Sequence, residues 1–187
     1  MILEGIVTTQ NGDGVLNVAP MGPIVDVQMT TLHLCPFQTS TTYKNLKQHP
    51  EGVLHVVDDV LLLAKAAIGM LSEQPETFSA EQINGAVLKS ACRWYEFKIT
   101  EIDDREERTN IHAKIVHSGR LKDFFGFNRA KHAVLEAAIM ATRIGILPSD
   151  EIKQEFERLS IIVGKTAGEQ EFEAFGVLQS YLDCKLQ

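Results

Sequence analysis

Pro36-Phe37-Gln38-Thr39-Ser40-Thr41-Thr42-Tyr43-Lys44-Asn45-Leu46 follows an apolar run from Ile24 to Leu34 and, before it, Asn17-Val18-Ala19-Pro20-Met21-Gly22. The apolar run carries Val25, Val27, Thr30 and Thr31, and β-branched residues favour a strand over a helix. It predicts one long strand over 24–34. The hydroxyl residues Thr39, Ser40, Thr41 and Thr42 then precede a short helical turn over Lys44 to Gln48. Main-chain N–H groups at a helix start lack partners and the dipole there favours an anion. With hydroxyl donors added, the run suits a phosphate. From the run alone, a helix N-cap followed by ordinary loop threonines is the plainer reading.

Outward from this stretch the first half is β structure. Leu3 to Thr9 predicts a strand, Asn11-Gly12-Asp13-Gly14 a hairpin turn, and Val15 to Ala19 its antiparallel return. Gly52 to Val57 is a short buried strand, and Asp58-Asp59 caps a helix running to about Gly69. Residues 72–84, polar and containing Pro75, read as a loop. Arg93 to Ile102 and Thr109 to Val116 alternate apolar and polar residues, and Asp103-Asp104-Arg105-Glu106-Glu107 between them predicts an antiparallel hairpin.

After Gly119 the period changes. Ala130, Val134, Ala137, Ala141 and Ile144 stripe one helix, Ile152, Phe156, Leu159 and Val163 a second, and Phe172, Phe175, Leu178 and Leu182 a third. Strands segregated from helices argue an α+β chain, divided into a β domain over 1–118 and a helical subdomain over 119–187. No G-x-G-x-x-G or P-loop occurs, which removes the usual dinucleotide and nucleoside-triphosphate motifs.

The 187 residues carry 18 Lys plus Arg against 25 Asp plus Glu, a formal charge of −7. That sign argues against nucleic acid as a main partner but leaves room for one small phosphate pocket. Cys35, Cys92 and Cys184 are far apart, with no C-x-x-C pair, so neither a zinc knuckle nor a disulfide framework is expected. No leader or membrane-spanning run is read, so the expectation is a soluble cytoplasmic protein with reduced thiols. The six histidines never fall at metal-ligand spacing on one element, and no metal site is predicted. His33 and His55, within apolar strands, read as satisfied core or interface residues. Trp94-Tyr95 reads as packing, and no nucleophile–base set supports covalent catalysis.

Taken together, Asn17 to Gly22, Pro36-Phe37-x-x-Ser40-x-Thr42-Tyr43-x-Asn45-Leu46, Asp58-Asp59 and the run from Phe127 to Ala137 resemble the domain-of-unknown-function 447 family. That family is related to the flavin reductase-like FMN-binding split barrels. The resemblance spans nearly the whole chain. It implies an antiparallel Greek-key split β-barrel, followed by about three helices, in a homodimer that binds FMN.

By the same resemblance, Asn17, Val18, Ala19, Pro20, Met21 and Gly22 would lie along the isoalloxazine ring, and Thr39, Ser40, Thr41 and Thr42 would receive the phosphate. Many related reductases carry Arg or Lys in that loop, whereas here Lys44 is the cation nearest in sequence. Arg129, Lys131 and Arg143 are therefore candidates to complete the charge. Arg129 is preferred because a guanidinium grips phosphate bidentately. Arg129 and Lys131 open a helix, where dipole logic disfavours cations unless an anion docks there or the face is simply solvated.

The function so implied is flavin-dependent hydride transfer on a small molecule, with substrate, donor and catalytic residues unassigned. A non-catalytic FMN carrier is one alternative. Another is an interaction module using an exposed apolar stripe on the 150–182 helices.

Overall fold

The computed structural model describes residues 1–186. Asn11 Oδ1 accepts from the N–H groups of Asp13 (3.0 Å) and Val15 (2.8 Å), and Gly14 takes a φ of 77°. This turn joins β1 (Gly5–Gln10) to β2 (Leu16–Met21) in an antiparallel hairpin.

The single strand expected over 24–34 is instead two, β3 (Ile24–Val25) and β4 (Thr31–Leu34), folded against each other. Asp26 is the reason. Its carboxylate accepts the main-chain N–H and the hydroxyl of both Thr30 and Thr31 at 2.8–3.2 Å, while Met29 adopts a φ of 53°. Residues that favour strands are here recruited to close an Asp-centred turn. The Thr31 N–H above all holds the Asp26 carboxyl well below the usual range.

The chain continues through α1 (Thr41–Gln48), β5 (Glu51–Val56) and α2 (Val60–Ala67), which Asp59 caps by accepting the Leu62 N–H at 2.9 Å. Next come β6 (Thr77–Ser79) and β7 (Ala86–Leu88), paired antiparallel. β6 lies inside the stretch expected to be loop; three residues are too few for alternation to declare a strand. The long hairpin β8 (Arg93–Asp103) and β9 (Asn110–Arg120) follows, then α3 (Arg129–Ala141), α4 (Ser149–Thr166) and α5 (Glu169–Lys185).

Two compact units form: Met1–Val57 with Gln74–Phe124, and Asp58–Glu73 with the chain from Phe125 onward. Helix α2, which lies within the 1–118 segment, thus packs with the C-terminal helices, against α3 and α5.

In the first unit a seven-stranded antiparallel sheet runs in the order β2-β1-β5-β8-β9-β4-β3, with crossovers of the Greek-key kind. It curls until its ends meet along the N-terminal segment. Ile2 bridges Ile24, the Leu3 N–H donates to Pro23 O at 3.0 Å, and the Val25 N–H donates to Met1 O at 2.8 Å. This is a split β-barrel. Val7, Leu32, Leu34, Leu46, Leu54, Phe97 and Ile111 fill its interior. A second cluster of Val53, Val87 and Trp94 is covered by Phe78 and Ile83. Gly119, opposite Trp94 in the β8–β9 register, makes room for the indole: a Cβ there would sit 2.0 Å from the ring.

The second unit buries Ala130, Val134, Ala137 and Ala141 of α3 together with Ile152, Phe156, Leu159 and Val163 of α4. On α5, Phe175, Leu178 and Leu182 are buried, but Phe172 is 52% exposed. Glu171 points inward in its place, drawn by a partner on α3 described below. Of the residues striping the 150–182 helices, all but Phe172 are therefore spent on the unit's own core.

Candidate functional site

The hydroxyl loop is built by two tethers. Main-chain bonds hold it to the start of β9 and the turn before it: Thr109 N–H to Pro36 O (2.9 Å) and Gln38 N–H to Glu107 O (3.1 Å), with Phe37 bridging Arg108. The Gln38 amide then donates to Asp104 O (2.6 Å) and Glu106 O (2.8 Å). Behind the loop, Tyr43 Oη donates to Asp104 Oδ2 at 2.7 Å, and Lys47 Nζ reaches the same oxygen at 2.7 Å. Lys47 and Tyr43 hold the Asp104 carboxyl below its usual range, and Asp104 in turn raises Lys47.

Within this frame the hydroxyls divide. Ser40 is the N-cap of α1: its Oγ accepts the Tyr43 N–H at 3.2 Å and donates to Phe37 O at 2.7 Å. Thr42 is 2% exposed, and its Oγ1 accepts Asn17 Nδ2 at 3.1 Å. Thr39 and Thr41 are exposed, and their hydroxyls have no partner among the described residues. The structure thus leaves two hydroxyls at the surface and uses two to shape the helix start.

Asn17 lies on β2, at one end of the strand order, where half of the main-chain groups have no neighbouring strand. Pro20, which has no N–H to offer a ladder, suits that edge. Asn17 also donates to Thr9 Oγ1 (3.3 Å), which accepts Asn45 Nδ2 as well (3.1 Å). A buried polar knot of Thr9, Asn17, Thr42 and Asn45 therefore ties the β2 edge to α1. Val18, Ala19, Pro20, Met21 and Gly22 continue from it, all half-buried. Gly22 serves the chain itself: a Cβ would come within 2.7 Å of Glu4 Oε1 and 2.8 Å of Ile2 Cγ2.

Arg129 and Lys131 belong to the helical unit. Asn128 caps α3 by accepting the N–H groups of Ala130 (2.8 Å) and Lys131 (3.1 Å). Lys131 Nζ lies 3.0 Å from Glu171 Oε1, both side chains are largely buried, and it also donates to Asp58 O. Burial alone would raise the Glu171 carboxyl, but the Lys131 ammonium and the Gly168 N–H outweigh it and hold the group below its ordinary value. This pair accounts for a cation in the first turn of α3. Arg129 is exposed with no carboxylate partner among the described residues, and it lines a cavity of about 390 Å³ with Phe127, His132, Glu136 and Arg158.

Elsewhere, His55 is fully buried. Its Nδ1 donates to Ile6 O (3.0 Å) and its Nε2 accepts the Leu88 N–H (3.1 Å). Burial lowers its pKa to about 4, so it is a neutral structural residue. His33 stacks on His112 with ring centroids 4.6 Å apart, and its Nε2 lies 3.0 Å from Asn110 Oδ1 and 3.5 Å from Cys35 Sγ. No group of three metal-ligating side chains occurs among the described residues, and no helix there is long and apolar enough to cross a membrane.

Sequence reasoning missed the tethers from Gln38, Tyr43 and Lys47 to the 103–108 turn. They join positions some sixty residues apart, for which no local pattern exists.

The family model for the N-terminal domain of a protein of unknown function (DUF447) matches residues 3–122, and the further DUF447 model matches residues 128–180. A search of curated proteins finds no match. Among solved structures, an FMN-bound DUF447 protein from Methanosarcina mazei superposes with a TM-score of 0.83 at 22% identity, over 96% of this chain and 94% of that one. The styrene monooxygenase flavin reductase of Pseudomonas putida S12 gives 0.52 at 11% identity, over 63% of this chain and 77% of that one. An FMN-binding protein from Thermus thermophilus with bound p-hydroxybenzaldehyde gives 0.52 at 12%, over 63% and 71%. At these identities the likeness establishes a common fold, the split barrel, with the C-terminal helices included in the first of them. Matched by both of its models along most of its length, this chain belongs to the DUF447 family of proteins of unknown function.

Proposed function

We propose that this chain binds FMN through the β2 edge and the hydroxyl loop, and acts as a flavin-dependent oxidoreductase on a small molecule. One observation carries the reading: Asn17 Nδ2 donates to Thr42 Oγ1 at 3.1 Å, joining the segment assigned to the ring with the loop assigned to the phosphate. The donor set fits the group. Thr39 and Thr41 offer exposed hydroxyls beside the α1 start, where an anion is favoured, and the β2 edge offers main-chain N–H and C=O groups suited to a pyrimidine edge. FMN-bound and flavin reductase structures of the same fold support the choice of cofactor.

FMN, when bound, supplies hydride chemistry at its N5. The tasks left to this chain are binding, orientation and exclusion of water. Thr9, Asn17, Thr42 and Asn45 fix the β2 edge against α1, Ser40 shapes the helix start, and Thr39 and Thr41 take phosphate oxygens. Arg129 is the preferred further cation, and Lys131, already facing Glu171, is the weaker candidate. The β domain over 1–118 would then hold the cofactor.

Titration of the protein with FMN, followed by flavin absorbance and fluorescence, tests the proposal; no spectral change at micromolar protein would defeat it. A non-catalytic FMN carrier is the second reading. Anaerobic NADH or NADPH separates the two: bleaching of bound flavin faster than that of free FMN favours an enzyme.

A further inference from the structure

The proposed phosphate site needs a cation, and the cations around the hydroxyl loop are not equivalent. Lys47 faces Asp104 at 2.7 Å, and Arg105 faces Asp103 at 2.6 Å. Lys44 is exposed on α1 and nothing orients it. Arg108 differs from all three. Its guanidinium lies over the Phe37 ring, 4.7 Å from the centroid, and no carboxylate partners it among the described residues. Its main chain bridges Phe37, whose carbonyl accepts both the N–H (3.0 Å) and the Oγ (2.7 Å) of Ser40. Arg108 is therefore anchored to the residue that opens the hydroxyl turn, two positions before Thr39.

We propose that Arg108, laid on Phe37, is the cation of the phosphate subsite and makes the site select a flavin with a terminal phosphate over one without. This rests on the FMN reading above. Stacking on an aromatic face restricts the guanidinium while leaving its N–H edge available, so little further ordering is needed to grip phosphate oxygens. A planar fork on the residue that bridges Phe37, joined by the exposed hydroxyls of Thr39 and Thr41 and the α1 start, would supply a donor set for a tetrahedral dianion. Glu106 and Glu107, exposed on the same turn, oppose that charge, so Arg108 is also the residue that keeps their field from repelling an anion.

The test compares FMN with riboflavin, which shares the ring and lacks the phosphate, by flavin fluorescence at low and high salt. Arg108→Gln should weaken FMN about tenfold, as loss of one charge-assisted contact does. It should leave riboflavin within about twofold and flatten the salt dependence of FMN binding. Arg108→Lys should recover part of the loss, and Glu106→Gln with Glu107→Gln should tighten FMN alone. An unchanged melting temperature in Arg108→Gln, expected for an exposed side chain, excludes a folding effect. Equal losses for both flavins, or none for FMN, would overturn the role of Arg108 while FMN binding stood. A wild-type protein that binds neither flavin would overturn the cofactor reading itself.

Discussion

Replacing Lys131 with Met should cost about 3 kcal/mol of folding stability. The ammonium sits 3.0 Å from Glu171 Oε1, with the two side chains 15% and 9% exposed, so neither ion is well hydrated. Removing one partner of a buried pair typically costs about 3–5 kcal/mol, because the survivor is left charged and desolvated. The low end applies here because the Gly168 N–H, 2.8 Å from Glu171 Oε2, still partners the carboxylate. The pair Lys131→Met with Glu171→Gln should regain much of the loss, since the stranded charge is gone. Urea unfolding at pH 7 measures all three variants. The Glu171 carboxyl lies below its ordinary value when folded, so its contribution is present above the unfolded pKa near 4.5 and is lost as pH falls through the folded one. A cost under about 1 kcal/mol for Lys131→Met, with the same urea slope, would refute the argument from desolvation. The same variant should leave the preference for FMN over riboflavin unchanged; a selective loss of FMN would return Lys131 to the phosphate site.

His55, with its pKa lowered to about 4 by burial, should stay neutral by NMR at pH 5. The unfolded chain binds the extra proton between pH 6.5 and 4, so stability falls across that window, by up to about 3 kcal/mol, and this group adds no loss below it. An imidazole titrating near 6.5 in the folded protein would contradict this. Thr109 Oγ1 is buried with no hydrogen-bond partner among the described residues, so Thr109→Val should add about 1 kcal/mol of stability in urea unfolding; a loss would mean the hydroxyl has a partner after all. Thr39→Val and Thr41→Val should each weaken FMN by about 1 kcal/mol without changing stability, because both hydroxyls are exposed and unpartnered. Thr42→Val should instead lower stability first, since it strips Asn17 of one of its two acceptors inside the polar knot. Thermal melts beside flavin titrations separate the two classes.

Periodicity carried the fold where elements are long. The β8–β9 hairpin and the striped faces of α3 and α4 were legible because alternation and the helical repeat persist over many residues. The failures are short-range. Asp26 broke a run whose composition reads as one strand, because a carboxylate placed to collect the N–H and hydroxyl groups of Thr30 and Thr31 outweighs β-propensity. Phe172 matched the α5 stripe by spacing, yet a buried ion pair claimed that side of the helix for Glu171. In both, a specific polar interaction overrode an average preference, which composition alone does not encode.

The candidate site divides along the same line. Ser40 as a helix cap was readable from residue type, and so was the gathering of hydroxyls before α1. Which hydroxyls face solvent was not, because that depends on Asn17, twenty-five residues earlier, reaching Thr42. Nor could Arg108 be found, since its place beside Phe37 is created by pairing between the loop and the start of β9. Arg108, the cation proposed for the loop, lies in the turn before β9. A hydroxyl loop whose own Lys44 is exposed gains a second, stacked cation where the fold lays Arg108 on Phe37.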